Sequence, residues 1–408
     1  MWELFCIKII LNKRDYYCTK KRIVKLDSKP PSSFSIKHIF DEYLDIILGI
    51  IFSLIAFYFH NLHYLELSAL STAIAIGAFS MTVAEIAEIL AERFEEPYAS
   101  FVLTFSAVVV EIVLLYMIIA NATEAKQGLE TVKGGIISAV IVDMNVLLGF
   151  AVFIGGLSFK EQEHNEDTSS TYTTILLVAT SALLVPSIIN YTDSNNKLME
   201  ASVMIAVILM VFYIFIFIFQ TRTHEDFFKA TAKSRIMRLK KKRGELEDDH
   251  EDYIFDKLPS WANLIVIFLL ILIIGFLAEV FAHDGMILAQ HYGISTGLAG
   301  LIIAIIAVSP EVVTAIKAAK DDEIQRVVNI AMGASTVSIM LTVPILMLLA
   351  YLNGVNLTLD FNAFQVGALL LTIILAWKTT DNGETNYFEG ISHLMFFAAY
   401  ATIATLYH

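Results

Sequence analysis

Two glutamates stand where a charged side chain is costly. Glu111 is at the centre of LTFSAVVVEIVLLYMIIA (103–120), and Glu311 lies inside LAGLIIAIIAVSPEVVTAIKAAK (298–320). An ionisable residue at the middle of an apolar helix costs about 2.5–3.5 kcal/mol on insertion scales. It persists there by facing a polar cavity, finding a partner or carrying a proton. One such glutamate alone is readily explained as a neutral, hydrogen-bonded group; two at corresponding places point to a shared site. Oxygen-bearing side chains accompany them: Asp143 and Asn145 in the apolar stretch 134–157, Ser335 and Ser338 in 326–352, and Ser309 beside Pro310. Pro310 has no N–H, which is expected to open the helix and free the carbonyl of Ile306. Such a set of oxygens suits a hard cation, and Ca²⁺ accepts 6–8 of them in flexible geometry. The expected ion-binding residues are Glu111, Glu311, Asp143, Asn145, Ser309 and Ser335. For Asp143 the reading stays open between a member of the site and a neutral partner for a neighbouring amide or hydroxyl.

A carboxylate in apolar surroundings is balanced either by a cation or by its own proton. Protons and a cation therefore compete for the same groups, and competition at a site that opens to each side in turn is exchange. A second group of acids sits at helix ends. Glu85 and Glu88 lie in 77–96, and Glu279 lies in FLAEVFAHDG. They read either as water-facing helix ends or, with Ser338, as vestibule and proton-path residues.

These groups must be positioned by membrane helices. Of the 408 residues 57% are apolar and 17% charged, where soluble domains carry about 25% charged residues. Crossing about 30 Å of hydrocarbon takes roughly 17–25 apolar residues. Stretches of that kind fall at 43–59, 65–90, 100–120, 134–157, 172–190, 200–220, 261–281, 297–319, 326–352, 361–377 and 388–406. The expectation is an all-α polytopic membrane protein with about 11 transmembrane helices. Residues 1–40 read as a cytoplasmic tail, 41–60 as a leading helix, and 221–260 as a charged cytoplasmic linker. The linker splits the remaining ten spans into two sets of five, 62–220 and 261–408. An odd number of helices per set makes the two sets inverted repeats, whose binding sites lie near the midplane.

Basic residues set the orientation. With the amino terminus cytoplasmic, only Lys126, Lys133 and Lys197 of the 28 Lys and Arg residues fall outside. The carboxyl terminus is then outside. The excess of 41 acidic over 28 basic residues argues against nucleic acid as a partner. Cys6 and Cys18 make neither a disulfide scaffold nor a zinc motif.

Four stretches resemble the cation/proton branch of the calcium:cation antiporter superfamily, in particular bacterial calcium (sodium, potassium)/proton antiporters. They are AEILAERFEEPYASFVLTFSAVVVEIVLL (87–115), VIVDMNVLLGFAVFIGG (140–156), AVSPEVVTAIKAAK (307–320) and NIAMGASTVSIMLTVP (329–344). The resemblance covers about residues 40–408. It implies one leading helix, two inverted five-helix repeats, and cation binding by the two repeat acids that Glu111 and Glu311 match. The acidic part of 245–256 resembles the acidic helix between repeats. Asp143 departs from the pattern, which has a small or polar residue there.

The function expected is secondary antiport of a cation, Ca²⁺ with Na⁺ or K⁺ as alternatives, against H⁺, with the lipid bilayer, inorganic cations and protons as partners and no resident cofactor. A bacterial inner (plasma) membrane is the expected location. Sodium-coupled calcium exchange without protons is the runner-up. A cation channel and an intramembrane hydrolase are less favoured, and the sequence holds neither a Gly-x-Gly-Asp nor a His-Glu-x-x-His motif.

Overall fold

A computed structural model describes residues 43–93, 98–121, 125–189, 195–228 and 253–406. The amino-terminal tail and most of the 221–260 linker lie outside the described residues. Residues Asp45–His408 form one unit.

Eleven long helices are present among the described residues. They are α1 (Leu44–Asn61), α2 (Leu65–Glu92) and α3 (Tyr98–Asn121), then α4, which runs Ala125–Val142, Asp143–Leu147 and Leu148–Ser158. Next come α5 (Glu166–Ile189), α6 (Asn195–Ile218), α7 (Ser260–Tyr292) and α8 (Thr296–Lys320). The rod α9 runs Ile324–Val337, Ser338–Thr342 and Val343–Leu352, followed by α10 (Ala363–Thr380) and α11 (Tyr387–Leu406). Nine helices among the described residues are long and apolar enough to cross a bilayer. Several outrun their apolar stretches: α4 starts at Ala125 and α7 continues to Tyr292. Helical hydrogen bonding continues past the hydrocarbon, where Lys126, Gln127 and Glu130 are solvated at no penalty.

The burial pattern is that of a protein in lipid. Only 11% of the apolar window of α1 and 22% of that of α6 are buried, against 83% for α4. On α6 and α7, Val207, Phe215, Phe268 and Phe276 face outward, while Ser138, Asp143 and Asn145 are enclosed. Lipid tails solvate apolar side chains as well as a core does, so polar groups collect inside.

Packing follows a five-helix shift. Helix α2 packs on α7, and α5 on α10. Helix α3 packs on α7 and α9, and α8 correspondingly packs on α2 and α4. Helix α6 meets α9, as α11 meets α4. Glycines let the inner helices touch backbone to backbone. A Cβ on Gly300 would lie 2.4 Å from the Gly135 nitrogen, and one on Gly390 would lie 2.3 Å from the Phe153 nitrogen. A two-residue antiparallel pair, β1 (Gln162–Glu163) with β2 (Glu384–Thr385), ties the α4–α5 turn to the α10–α11 turn.

A half-buried ion pair anchors the first half of α4. Lys133 Nζ donates to Asp360 Oδ1 at 2.7 Å, and Thr358 Oγ1 donates to the same oxygen at 2.5 Å. Burial alone would raise the Asp360 carboxyl, but these hydrogen bonds and the Lys133 charge outweigh it and hold the group below the ordinary value. A depressed carboxylate adds stability that is present above its unfolded pKa and lost as pH falls through the folded one. Acid titration followed by thermal unfolding in detergent is expected to lower the Tm of the wild type below the usual carboxylate range. The Asp360→Asn variant is expected to lose stability near neutral pH and to show a flatter acid limb. Equal acid limbs would contradict this anchoring. Gly390→Leu is expected to destabilise by about 3 kcal/mol through forced backbone separation. Gly367→Ala on α10, where a Cβ meets nothing within 4 Å, is expected to be neutral or to stabilise by up to about 1 kcal/mol.

Candidate functional site: a cavity with three carboxylates

Four rods supply the site. Glu111 comes from the middle of α3, Glu311 from α8, Asp143 from α4 and Ser338 from α9. With Ala107, Val108, Ala307, Val308 and Ala334 they line one small cavity. The lining has internal symmetry. Ala107, Val108 and Glu111 correspond to Ala307, Val308 and Glu311 at a constant offset of 200 in numbering.

Each of α4 and α9 is interrupted once by a five-residue π-helical turn, Asp143–Leu147 and Ser338–Thr342. Asp143 and Ser338 are the first residues of these turns, and both face the cavity. In α9 the Val343 N–H reaches Ser338 O, five residues back, just before Pro344, which has no N–H for the Met340 carbonyl. In α4 the N–H of Leu148 reaches Asp143 O in the same way. Single π turns inside α-helices occur frequently at functional sites.

The three acids are enclosed, with residue exposures of 7% for Glu111, 1% for Asp143 and 3% for Glu311. Ser338 Oγ donates to Glu111 Oε2 at 2.7 Å, and Thr342 Oγ1 adds a long contact at 3.4 Å. Ser335 Oγ donates to Asp143 Oδ2 at 3.1 Å. Among the described residues, Glu111 Oε1, Asp143 Oδ1 and Glu311 Oε1 are buried without any hydrogen-bond partner. Buried polar atoms are ordinarily satisfied. Three orphaned carboxylate oxygens around one cavity are the pattern expected of groups whose partner is an ion or a proton.

Several sequence expectations are met differently in space. Asn145 does not join the carboxylates. Its amide donates to Ile141 O at 3.1 Å and Thr372 Oγ1 at 3.0 Å, and its carbonyl oxygen meets His393 Nδ1 at 3.0 Å. Two residues past Asp143, a helical side chain points to another face, and here that face meets α10 and α11. Helix α8 is not opened at Pro310 but runs unbroken from Thr296 to Lys320. Ser309 Oγ donates to the Ile306 carbonyl at 2.9 Å, supplying the donor that the proline lacks. Ser309 therefore serves its own backbone and does not line the cavity. Ser338, expected on a path to the site, is at its centre.

Two of the three acids at helix ends, Glu85 and Glu88, are matched by bases. Glu85 accepts from Tyr253 Oη at 3.1 Å and lies 3.9 Å from Lys317 Nζ. Glu88 pairs with Arg326 at 2.5 Å. Glu279 is exposed on α7. The small lining residues are not among the expected site residues; four of them carry a signal in the Ala-Val pair that stands four and three residues before each glutamate.

These features define a multi-pass helical membrane protein built around a buried carboxylate cavity. The chain belongs to the family described as sodium/calcium exchanger protein, whose match covers residues 60–222 and 262–406. It is similar to the sodium-potassium/proton antiporter ChaA of Escherichia coli (strain K12), 25% identical over 328 residues, 80% of this chain and 86% of that protein. It is also similar to a Ca²⁺/H⁺ antiporter of Synechocystis sp., 25% identical over 303 residues, 71% of this chain and 80% of that protein. Among solved structures, native YfkE superposes with a TM-score of 0.71 at 18% identity, covering 89% of this chain and 99% of that one. The H⁺/Ca²⁺ exchanger CAX superposes at 0.61 and 15% identity, covering 91% and 92%.

Asn145→Ala is expected to leave His393 and Thr372 short of partners and to destabilise by about 1–3 kcal/mol. Because Asn145 is turned away from the carboxylates, cation affinity in the folded fraction is expected to stay at the wild-type value. Selective loss of cation binding with unchanged Tm would return Asn145 to the site.

Proposed function

We propose that the chain exchanges a cation, Ca²⁺ foremost with Na⁺ or K⁺ as further substrates, for protons at the cavity between α3, α4, α8 and α9. The observation that carries this reading is the set of three unpartnered carboxylate oxygens, from Glu111, Asp143 and Glu311, facing one enclosed space. Two carboxylates balance a divalent ion, and Ser338 Oγ, the remaining carboxylate oxygens and water complete an oxygen shell. When the cation leaves, charge balance in an apolar enclosure requires protons on the same oxygens. The cation and the protons thus exclude one another, which couples their movement. Asp143 is the third acid. With a divalent ion bound it keeps a proton, and with a monovalent ion the set keeps more, so one cavity serves ions of either charge.

Alternating access follows from the arrangement of the helices. In this reading α2–α6 and α7–α11 are two inverted repeats, with α1 preceding them. The matched lining residues, the matched π turns and the exchange of packing partners under a five-helix shift support it. Opposed repeats bring the site to each side by exchanging conformations. The orientation is the one the basic residues favour, amino terminus in the cytoplasm and carboxyl terminus outside, in a bacterial inner membrane. The names of the relatives, Ca²⁺/H⁺ antiporter and sodium-potassium/proton antiporter, agree with proton coupling and leave the ion to experiment.

The test is transport in everted vesicles under an imposed pH gradient, with Ca²⁺, Na⁺ and K⁺ added separately. Wild type is expected to dissipate the gradient on cation addition. Glu111→Gln and Glu311→Gln are each expected to lose at least a hundredfold in rate, about 2.7 kcal/mol. Asp143→Asn is expected to retain transport with an altered ion order. Retained dissipation in both glutamine variants would overturn the site. Calcium movement that needs a sodium gradient at fixed pH would favour the proton-independent exchanger instead.

A further inference from the structure

A second cluster of ligand-type side chains lies away from the carboxylate cavity, at the end of the bundle where α1 finishes, α2 begins and α7 runs out. Asp284 on α7 is fully buried, with 0% residue exposure. His60, near the end of α1, places Nδ1 2.9 Å from Asp284 Oδ2 and 3.1 Å from Oδ1. His283 places Nδ1 2.8 Å from Asp284 Oδ1. Ser68 of α2 donates to Asp284 Oδ2 at 2.5 Å. One ligand atom from each of His60, His283 and Asp284 lies within 4.8 Å of the others.

We propose that His60, His283 and Asp284 form a binding site for one late first-row divalent ion of the Zn²⁺ class, separate from the ions that use the carboxylate cavity. The ligand set decides the class. Two imidazoles and one carboxylate match the three-ligand sets that hold zinc with a fourth position open. The same set is poor for Ca²⁺, which takes oxygen throughout. Tetrahedral ligands about 2.0–2.1 Å from zinc sit about 3.3 Å from one another. The imidazole nitrogens are already 2.8–3.1 Å from the carboxylate oxygens, and the two histidine nitrogens, within 4.8 Å of each other, draw together by side-chain rotation to admit the ion. Each ring binds through Nδ1 as its neutral Nε2–H tautomer; a proton on Nδ1 is replaced by the ion and, for a neutral ring, Nε2 takes one up from solvent, so no imidazolate forms.

Support and access are both present. The Ser68 hydroxyl holds the Asp284 carboxylate from behind, the kind of outer partner that fixes a ligand's orientation. The His60 side chain is 34% exposed and that of His283 53% exposed, which gives the ion a route in. Helix α7 has 33 residues, well beyond the roughly 20 needed to span hydrocarbon, so its last turns reach the aqueous edge. A bound ion would join α1 to α7, with α2 attached through Ser68. Helix α2 packs on both helices that carry the glutamates, α3 and α8, and α7 packs on α3. The leading helix is thereby tied to the part of the bundle that holds the carboxylates.

The experiment is titration of purified, tag-free full-length protein in detergent with Zn²⁺, followed by calorimetry, and with Co²⁺, followed by visible absorption. Wild type is expected to bind one equivalent of Zn²⁺ and to give the intense visible bands of four-coordinate Co²⁺. H60Q and H283Q, both at accessible positions, are expected each to weaken binding at least tenfold and together to abolish it. S68A is expected to weaken it on the order of tenfold. E311Q is expected to bind Zn²⁺ as the wild type does, which separates this site from the carboxylate cavity and makes the test independent of the transport reading. Equal Zn²⁺ binding by wild type and the H60Q/H283Q double variant would overturn the proposal. So would the absence of saturable binding by the wild type, leaving the cluster a hydrogen-bonded lock between helices.

Discussion

The cost of an unmatched carboxylate in hydrocarbon is the constraint from which the rest of this architecture follows. Glu111, Asp143 and Glu311 cannot face lipid, and they are too far apart in sequence to satisfy one another locally. Helices from both halves of the chain must enclose them together. Once enclosed, each acid gains at most partial support. Ser338 and Ser335 donate to one oxygen of Glu111 and Asp143, and on each of the three acids one buried oxygen has no hydrogen-bond partner. A fully satisfied polar cluster would be a structural lock. An incompletely satisfied one retains affinity for a cation or a proton.

Close approach of the helices is what makes the enclosure possible. Gly300 against Gly135, and Gly390 against Phe153, leave no space for a Cβ. In lipid no hydrophobic gain draws helices together, so backbone contact at small residues supplies the packing. The π turns of α4 and α9 act at the same level. Each places its first residue, Asp143 or Ser338, at the cavity, and the two positions differ in chemistry. One half contributes an acid and the other a hydroxyl, so a pseudo-symmetric frame holds an asymmetric set of oxygens. Polar residues on the neighbouring face take the opposite role. Asn145, His393, Thr372 and Thr379 are occupied with one another and bind α4 to α10 and α11.

The reading of Pro310 shows where local rules stop. A proline in a helix removes one donor, and the freed carbonyl is a natural cation ligand. Here the preceding residue is a serine, whose hydroxyl reaches that carbonyl and closes the gap. Both outcomes are compatible with the sequence, because a serine rotamer decides between them. The acids at the helix ends are similar. Glu85 and Glu88 follow helical spacing along one face of α2, which suits a vestibule. Their pairing with Lys317 and Arg326 arises from α8 and α9, more than 200 residues away in the chain.

Much of the protein is determined by its sequence alone. Apolar runs of bilayer length, broken by polar turns, require helices, because no other open structure satisfies its backbone in lipid. The two glutamates inside such runs announce a site, since their insertion cost needs a reason. Sequence could not say which neighbouring oxygens reach that site. Side chains two residues apart on a helix point in different directions, and only the packed bundle shows which direction meets a cavity. That is why Asp143 lines the cavity and Asn145 does not, and why Ser338 is central. It is also why His60 and Asp284, 224 residues apart, meet at all. Tertiary structure decided the partners; the chemistry available to them was already written in the chain.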